Sequence, residues 1–337
     1  MTAIRTTRSV QLAHRPHGFP GLDAFQLVEQ PIPDPAPGQV LVRNLFMSLD
    51  PGMLMQIGAY EGIPFPPYRI GEAMYGDAIG EVVASNDPNV HEGTLVLHRL
   101  GWREYAVANA AEVRAVDPDT YPSPSTYLGF GLVAYVGLTV AAELREGDTV
   151  FISSAAGATG SFAGQIARLL GASRVVGSVG SPEKAVHAVE KLGYDAVFDY
   201  HDGPIVDRLR TAAPDGIDVY FDNVGGAQLR AAIEVMNVGG RIALCGALAR
   251  QQAGGTPDDG PGDLLPMIGK RLTMRGFTSL DHLNLAPEFG RRLRNWVAEG
   301  SIVHTETIVD ELENAPNALL DLVRGAYTGK VVVRLAR

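Results

Sequence analysis

The sequence is poor in cysteine, in positive charge and in histidine pairs. Cys245 is the single cysteine among 337 residues, so no disulfide within the chain and no four-cysteine zinc site can form. Lys and Arg number 28 against 38 Asp and Glu, and the net charge of -10 argues against nucleic acid or an anionic membrane as the main partner. The eight histidines are scattered, without a His-Glu-x-x-His spacing. We therefore predict no metal site.

Long hydrophobic runs are also missing. Residues 1–10 contain two arginines but no apolar stretch after them, unlike a signal peptide. The longest uncharged stretch, residues 120–142, is interrupted by proline, serine and glycine, and its continuous apolar part is expected to fall short of a bilayer span. We expect a cytoplasmic protein that contacts no membrane, and the lone cysteine fits a reducing compartment.

Residues 150–161 form the most informative segment. Val-Phe-Ile is followed by small residues and then by an amphipathic stretch at 162–170, which predicts a strand, a tight turn and a helix. The spacing Ala155-x-Gly157-x-x-Gly160 matches the dinucleotide fingerprint, with alanine in place of its first glycine. Small residues at such a turn let a pyrophosphate reach the backbone N–H groups at the helix start. The turn alone fits an ordinary strand–helix connection equally well.

The pattern of predicted secondary structure changes after the first third of the sequence. The early segments read as short strands between prolines and glycines, typical of a small β-barrel-like domain: 39–44, 78–85, 93–98 and 101–108. From about residue 127, strands and helices alternate, which predicts a parallel sheet covered by helices on both faces. The predicted strands are 150–154, 174–179, 196–200, 217–221 and 240–245, and the predicted helices start at 161 or span 182–192, 205–212 and 227–236. Residues 251–262 read as a mobile loop, and 330–335 as a strand that returns to the first domain.

The end of the second strand in this series indicates the choice of cofactor. An acidic residue at this place usually binds the ribose 2′-hydroxyl of NAD. Residues 177–181 read Gly-Ser-Val-Gly-Ser, without an acid, so we predict NADPH. The Ser181 hydroxyl and the Lys184 ammonium suit a 2′-phosphate. Ser181 could instead be a helix N-cap, and Lys184 a solvated helix residue.

Several segments, taken together and in order, resemble the zinc-independent branch of the medium-chain dehydrogenase/reductase superfamily. This branch contains prostaglandin reductases, leukotriene hydroxydehydrogenases and alkenal double-bond reductases. The matching segments are Phe-Met-Ser-Leu-Asp-Pro at 46–51, Gly-Glu-Ala-Met at 71–74, Gly-Leu-Thr at 137–139, Ser-Ala-Ala-Gly-Ala-Thr-Gly-Ser at 154–161, Gly-Ser-Pro-Glu-Lys at 180–184, Tyr-Phe-Asp-Asn-Val-Gly-Gly at 220–226, Cys-Gly at 245–246, Gly-Phe at 276–277 and Gly-Lys at 329–330. The resemblance covers nearly the whole chain.

The resemblance implies an α/β fold in which a Rossmann doubly wound parallel sheet accompanies a GroES-like β-barrel domain. The GroES-like catalytic domain would span residues 1–125 and be completed by 301–337, the NADP-binding domain would span 126–300, and the active site would lie in the cleft between them. The implied cofactor contacts are Ala158, Thr159 and Gly160 at the pyrophosphate, Ser181, Lys184 and Tyr200 at the adenosine phosphate, Asn223, Cys245 and Gly246 at the nicotinamide ribose, and Thr139 and the backbone of Phe277 at the nicotinamide. Asn223 could instead be a turn residue, and Cys245 a small buried hydrophobe.

The segments expected to contact the substrate depart from the family pattern. Gly52, Met53 and Leu54 stand where the family has a tyrosine and then Met-Arg, Gln251 stands at a position of a carbonyl-contacting tyrosine, Tyr327 replaces an asparagine, and Tyr135-Val136 replaces Met-Pro. Our hypothesis is hydride transfer from NADPH to the β-carbon of an apolar α,β-unsaturated ketone or aldehyde, with the enolate oxygen stabilised by hydrogen-bond donors. Tyr60 is a candidate proton donor and Gln251 a candidate hydrogen-bond donor, while Met47 and Tyr135 are candidates for an apolar pocket. Tyr60 could instead be a loop or core tyrosine, and Met47 and Tyr135 are of types found more often in a core than in a site.

Three other functions fit the same residues. A quinone reductase shares the fold and needs no proton donor at carbon. A secondary-metabolism tailoring reductase would use the loop at 251–262 to admit a bulky substrate. A cofactor-binding protein without turnover would account for the lost tyrosines. A homodimer is also expected, since residues 271–277 read as an edge strand able to pair with its copy, although they could form an internal strand.

Overall fold

The computed structural model describes residues 6–129, 131–256 and 260–335. The chain divides into two compact units. The first unit contains Met1–Gly129, Glu306–Tyr327 and Val331–Arg337, and the second contains Phe130–Thr305 and Thr328–Lys330.

The first unit is built mainly from antiparallel strands. Its N-terminal part contains β1 (Thr6–Leu12), β2 (Phe25–Pro31), β3 (Gln39–Leu49), α1 (Met53–Gly58), β4 (Ala78–Ser85), β5 (Leu95–His98), β6 (Tyr105–Asn109) and β7 (Arg114–Ala115), with 3₁₀ turns at Leu22–Ala24, Ala110–Glu112 and Pro124–Leu128. β1 and β2 pair along their full length, from Thr6 opposite Pro31 to Leu12 opposite Phe25. Trp102 is fully buried at the centre of the core of this unit.

The second unit alternates strands and helices. Its strands are β8 (Thr149–Ile152), β9 (Arg174–Val179), β10 (Ala196–Asp199), β11 (Ile217–Asp222), β12 (Met236–Leu244) and β13 (Thr273–Gly276). Its helices are α2 (Gly131–Val136), α3 (Ala158–Leu169), α4 (Pro182–Glu190), α5 (Ile205–Ala212), α6 (Gly226–Val235), α7 (Leu248–Gln252), α8 (Leu265–Lys270) and α9 (Ala286–Ala298), with a π-helical turn at Gly137–Ala141 and a 3₁₀ segment at Ser279–Leu285.

The six strands of the second unit form one parallel sheet in the order β10-β9-β8-β11-β12-β13. β8 and β11 are neighbours in this sheet although they are not consecutive, so the strand order reverses between them. In doubly wound sheets, ligands bind beside this reversal, at the carboxyl ends of the strands.

The C-terminal part returns to the first unit with β14 (Glu306–Asp310), α10 (Ala315–Val323), a 3₁₀ turn at Leu312–Asn314 and β15 (Lys330–Arg334). These strands join a seven-stranded sheet in the order β14-β15-β3-β4-β5-β7, in which β6 also pairs with β3. The predicted return of residues 330–335 is therefore confirmed, since Val331 lies opposite Leu49 in antiparallel register.

Several predicted boundaries were wrong. α3 begins at Ala158 and not at 161, so residues placed in the turn form the first helical turn instead. α6 ends at Val235, and Met236 opens β12. The predicted loop at 251–262 includes the end of α7, and its residues 257–259 lie outside the described part.

The uncharged stretch 120–142 also differs from its prediction. The run Pro124–Ala141 is long and apolar enough for a membrane span by length and composition alone, but 53% of it is buried, as in the core helix of a soluble protein. Within the second unit, a Cβ added at Gly131 would lie 2.6 Å from the Phe289 ring. This close packing leaves the start of α2 facing protein.

Candidate functional site

The carboxyl ends of the parallel strands place most of the predicted cofactor residues along one edge of the sheet. Ile152 lies opposite both Gly177 and Phe221, Val179 opposite Asp199, Asp222 opposite Leu244, and Leu244 opposite Gly276. The residues that follow these ends are Ser153, Gly180, Tyr200, Asn223, Cys245 and Phe277. One edge of the second unit therefore carries the fingerprint turn and the candidate residues of every later strand.

The fingerprint turn packs closely against its own helix. A Cβ added at Gly160 would lie 2.1 Å from the Ser154 carbonyl oxygen, and one at Gly157 would lie 2.8 Å from the Ser154 Oγ. The N-cap of α3 is Gly157, which makes no side-chain cap bond. The backbone N–H groups of Ala158, Thr159 and Gly160 have no acceptor within the helix, and they suit an anion.

The ends of β9 and β10 form a second group of polar side chains. Ser181 caps α4, and its Oγ accepts a hydrogen bond from the Lys184 N–H at 3.3 Å. Lys184 is half-buried, and desolvation lowers the pKa of its ammonium. A Cβ added at Gly180 would lie 3.2 Å from the Tyr200 hydroxyl oxygen, so Tyr200 is next to the start of α4. The prediction of Ser181 as a helix N-cap is therefore correct, and a hydrogen bond from its side chain also helps to lower the pKa of Glu183.

The turn after β11 is organised by a buried carboxylate that the sequence did not single out. The Asp222 Oδ1 accepts hydrogen bonds from the Tyr220 hydroxyl at 2.7 Å and from the Val224 and Gly225 N–H groups at 2.9 and 2.7 Å. Burial raises the pKa of Asp222. Its other oxygen, Oδ2, is buried without a hydrogen-bond partner. The sequence signal for this role was the position of Asp222 at the end of a predicted strand, directly before Asn-Val-Gly-Gly.

Asn223 has a structural partner in the neighbouring strand end. Its side-chain Nδ2 donates to the Ser153 carbonyl at 2.7 Å, and its backbone N–H donates to the Ser153 Oγ at 2.9 Å. A Cβ added at Gly246 would lie 2.6 Å from the Asn223 carbonyl oxygen, so Gly246 is in close backbone contact with this turn. Ser153, Asn223 and Gly246 are thus in mutual contact at the switch point of the sheet, where Ser153 is buried.

Cys245 follows β12 beside this surface. Its backbone N–H donates to the Asp222 carbonyl oxygen at 2.8 Å. Burial, with the nearby Asp222 carboxylate, raises the pKa of the Cys245 thiol to about 12. The thiol is therefore protonated at neutral pH and is not a nucleophile.

Two further residues of the predicted cofactor site, Thr139 and Phe277, lie near the start of the π-helical turn. A Cβ added at Gly137 would lie 2.4 Å from the Phe221 ring and 2.6 Å from the Phe277 ring. Thr139, two residues later, donates its hydroxyl hydrogen to the Tyr135 carbonyl at 2.7 Å. The structure thus brings the Gly137–Ala141 segment to the edge where β11 and β13 end.

The substrate candidates of the second unit are buried. The Tyr135 hydroxyl donates to the Glu288 Oε1 at 3.1 Å, its ring lies 5.3 Å from the Phe289 ring, and burial raises its pKa. Gln251 was predicted to start a loop, but it lies in α7 with only 4% of its surface exposed. Its backbone N–H donates to the Ala247 carbonyl, which ties it to the chain just after Gly246.

The substrate candidates of the first unit differ in exposure. Met47 is fully buried in the core cluster, where its Sδ accepts a hydrogen bond from the Trp102 N–H at 3.0 Å. These contacts give Met47 a role in core packing. Tyr60 follows α1 and is partly exposed, and a Cβ added at Gly58 would lie 2.3 Å from its ring.

The donor set fits a dinucleotide phosphate. Among the residues that the structure describes, no group of three His, Cys, Asp or Glu side chains could hold a metal ion. The uncapped start of α3, the small-residue cradle at Gly157 and Gly160, and the half-buried Lys184 are what an anionic dinucleotide requires.

Comparison with known proteins assigns both parts of the chain. Residues 8–116 match a family model described as the N-terminal domain of oxidoreductase, and residues 158–293 match one described as zinc-binding dehydrogenase. The chain is 38% identical over 335 residues to the NADPH-dependent curcumin reductase of Escherichia coli (strain K12), covering 96% of each chain. It is 35% identical over 303 residues to the 2-alkenal reductase (NADP(+)-dependent) of Nicotiana tabacum, covering 88% of each.

A solved structure extends this similarity to three dimensions. CurA of Vibrio vulnificus in complex with NADPH superposes with a TM-score of 0.91 at 35% identity, covering 98% of this chain and 99% of that one. The predicted fold class, a Rossmann parallel sheet with a separate GroES-like β domain, is confirmed by this match and by the two family models.

Proposed function

Because this chain belongs to the zinc-independent branch of the medium-chain dehydrogenase/reductase family, we propose that it uses NADPH to reduce the carbon–carbon double bond of α,β-unsaturated ketones or aldehydes. One structural observation supports the choice of NADPH as the cofactor. The second strand of the parallel sheet, β9, ends without an acidic residue and leads to Ser181 and Lys184. A 2′-phosphate is favoured there, because no carboxylate takes the ribose hydroxyl from that strand end.

The second unit provides the contacts for the cofactor. The N–H groups of Ala158, Thr159 and Gly160 would bind the pyrophosphate, with the dipole of α3 adding to the attraction. Ser181, Lys184 and Tyr200 would bind the adenosine 2′-phosphate. Asn223, Cys245 and Gly246 would lie along the nicotinamide ribose, and Thr139 and the Phe277 backbone near the nicotinamide itself.

When bound, the reduced nicotinamide supplies a hydride to the β-carbon of the substrate. The work left to the protein is to stabilise the negative charge that then collects on the carbonyl oxygen. The Gln251 carboxamide is our candidate hydrogen-bond donor to that oxygen, and it can donate a hydrogen bond but cannot release a proton. The Tyr60 phenol remains our candidate for protonation of the α-carbon, with water as the alternative source. Tyr135 is our candidate for an apolar contact to the substrate.

We extend the proposal to organisation and location. Residues 1–125 and 301–337 would form the GroES-like catalytic domain and 126–300 the NADP-binding domain, in a cytoplasmic enzyme that forms a homodimer. The outermost strand of the parallel sheet, β13, pairs on one side with β12. Its other edge could pair with a second copy across a two-fold axis.

The test is a product analysis with labelled cofactor. Purified protein is mixed with NADPH carrying deuterium at C4 and with an aromatic enone, a linear alkenal or a quinone, and the products are examined by NMR. We expect deuterium at the β-carbon of the enone or alkenal, and weaker turnover with NADH. NADPH oxidation by the quinone alone would replace the proposal with a quinone reductase. Tight NADPH binding without oxidation by any acceptor would indicate a protein without turnover.

A further inference from the structure

His201 lies beside the residues proposed to bind the adenosine 2′-phosphate. It directly follows Tyr200 at the end of β10, and the two rings have their centroids 4.0 Å apart. A Cβ added at Gly180 would lie 3.2 Å from the Tyr200 hydroxyl oxygen and 3.5 Å from the His201 Cε1. Both rings therefore border the backbone that leads into Ser181.

A buried carboxylate fixes the orientation of the His201 ring. The Asp199 Oδ1 accepts one hydrogen bond from the His201 backbone N–H at 3.0 Å and another from the ring Nδ1 at 2.8 Å. The Asp199 side chain is only 11% exposed, whereas that of His201 is 60% exposed. Such a bond keeps a hydrogen on Nδ1 and leaves Nε2 for a ligand or solvent.

We propose that His201 is an additional contact to the 2′-phosphate. The inference rests on the proposed function, because it assumes that the phosphate lies at Ser181, Lys184 and Tyr200. The Nε2 edge of the His201 ring would contact a phosphate oxygen. Its bond to Asp199 would also offset the negative charge at the end of β10, which would otherwise repel the phosphate.

Charged side chains follow in the segments around this ring. Glu183 and Lys184 extend from the start of α4, and Asp199, Asp202 and Arg208 belong to β10, the turn after it and α5. The Arg208 Nε donates to the Asp202 carbonyl at 2.6 Å, which holds this turn against α5.

Calorimetry with two nucleotides isolates this contact from catalysis. The probes are 2′,5′-ADP and 5′-ADP, which differ only by the 2′-phosphate, and the variants are His201→Gln and a matched control, His14→Gln. His14 is an exposed histidine in the first unit that also pairs with a carboxylate, through its other ring nitrogen: its Nε2 lies 3.1 Å from the Asp23 Oδ2.

We expect His201→Gln to weaken 2′,5′-ADP binding about fivefold, as for the loss of one hydrogen bond, and to leave 5′-ADP binding unchanged. His14→Gln should bind both nucleotides as the wild type does. Equal affinity of His201→Gln and wild type for 2′,5′-ADP would overturn the inference and leave the proposed function standing. If the wild type binds neither 2′,5′-ADP nor NADPH, both are overturned.

Discussion

Replacing Gly160 by alanine should test whether the fingerprint turn depends on close packing of helix against strand. The new Cβ would lie 2.1 Å from the Ser154 carbonyl oxygen and 2.9 Å from the Ala155 Cα. Both are backbone atoms, so no side-chain rotation relieves the contact, and α3 must move away from β8. The Gly160 carbonyl, which accepts a hydrogen bond from the buried Tyr194 hydroxyl at 2.8 Å, would move with it.

The magnitude follows from two opposing effects. Overpacking of a close-packed region costs about 1–3 kcal/mol. Alanine in place of glycine in a helix returns up to about 1 kcal/mol. We therefore expect a net loss of about 1–2 kcal/mol, which corresponds to a fall in melting temperature of about 2–8 °C for a domain of this size.

The control is Gly269→Ala in α8, where an added Cβ meets no atom within 4 Å. This variant should keep or raise the melting temperature, because it gains helix propensity without a clash. Thermal unfolding followed by circular dichroism gives both values, and titration with NADPH should show weakened binding for Gly160→Ala only. A Gly160→Ala protein as stable as Gly269→Ala, with wild-type NADPH affinity, would refute the packing argument.

Three further outcomes are expected from the same edge of the sheet. Burial raises the pKa of Asp222 in the folded state, so the contribution of this group to stability is present at low pH and is lost as pH rises through that pKa. Asp222→Asn should therefore gain stability relative to the wild type between pH 4 and 8, as measured by urea denaturation. Parallel pH profiles of the two proteins would contradict this. Gly180→Ala should weaken NADPH binding several-fold without a similar effect on the melting temperature, because its Cβ would press on the Tyr200 ring at 3.2 Å; unchanged affinity would argue against a role for Tyr200. The Cys245 thiol, with its pKa raised to about 12, should react with iodoacetamide at pH 8 up to about a thousandfold more slowly in the folded than in the urea-unfolded protein. Equal labelling rates in the two states would contradict that shift.

The parallel sheet and the cofactor class were predictable because their signals are local. The strands β8 to β11 are short and mainly apolar, and Ser153, Gly180 and Asn223 follow three of them, so the chain order of these ends gives their positions along one edge. The missing acid after β9 can be read directly from residues 177–181. The start of α3 was misplaced by three residues, because Ala158, Thr159 and Gly160 are compatible with either a turn or a helix.

Contacts distant in sequence were the part that could not be predicted. Met47 lies between Phe46 and Ser48 in β3, and this sequence pattern is the same whether Met47 faces a pocket or a core. Its burial is shown by the structure, in which its Sδ contacts Trp102. Gln251 lies among residues typical of a loop, yet α7 buries it. The roles of Asp222 and His201 depend on hydrogen bonds whose geometry the sequence pattern leaves open.

The alanine in the fingerprint shows how a local departure is compensated by a neighbouring strand. Ala155 stands where the fingerprint has its first glycine, and it is fully buried with its N–H donating to the Ser178 carbonyl at 2.9 Å. The adjacent β9 residue is Gly177, and a Cβ added there would lie 2.5 Å from the Ala155 Cβ and 2.9 Å from the Tyr194 ring. The methyl group of Ala155 fits because the neighbouring residue, Gly177, has no side chain and leaves space for it. The close packing therefore limits the combined volume of residues 155 and 177, and the fingerprint tolerates alanine at 155 because glycine is present at 177.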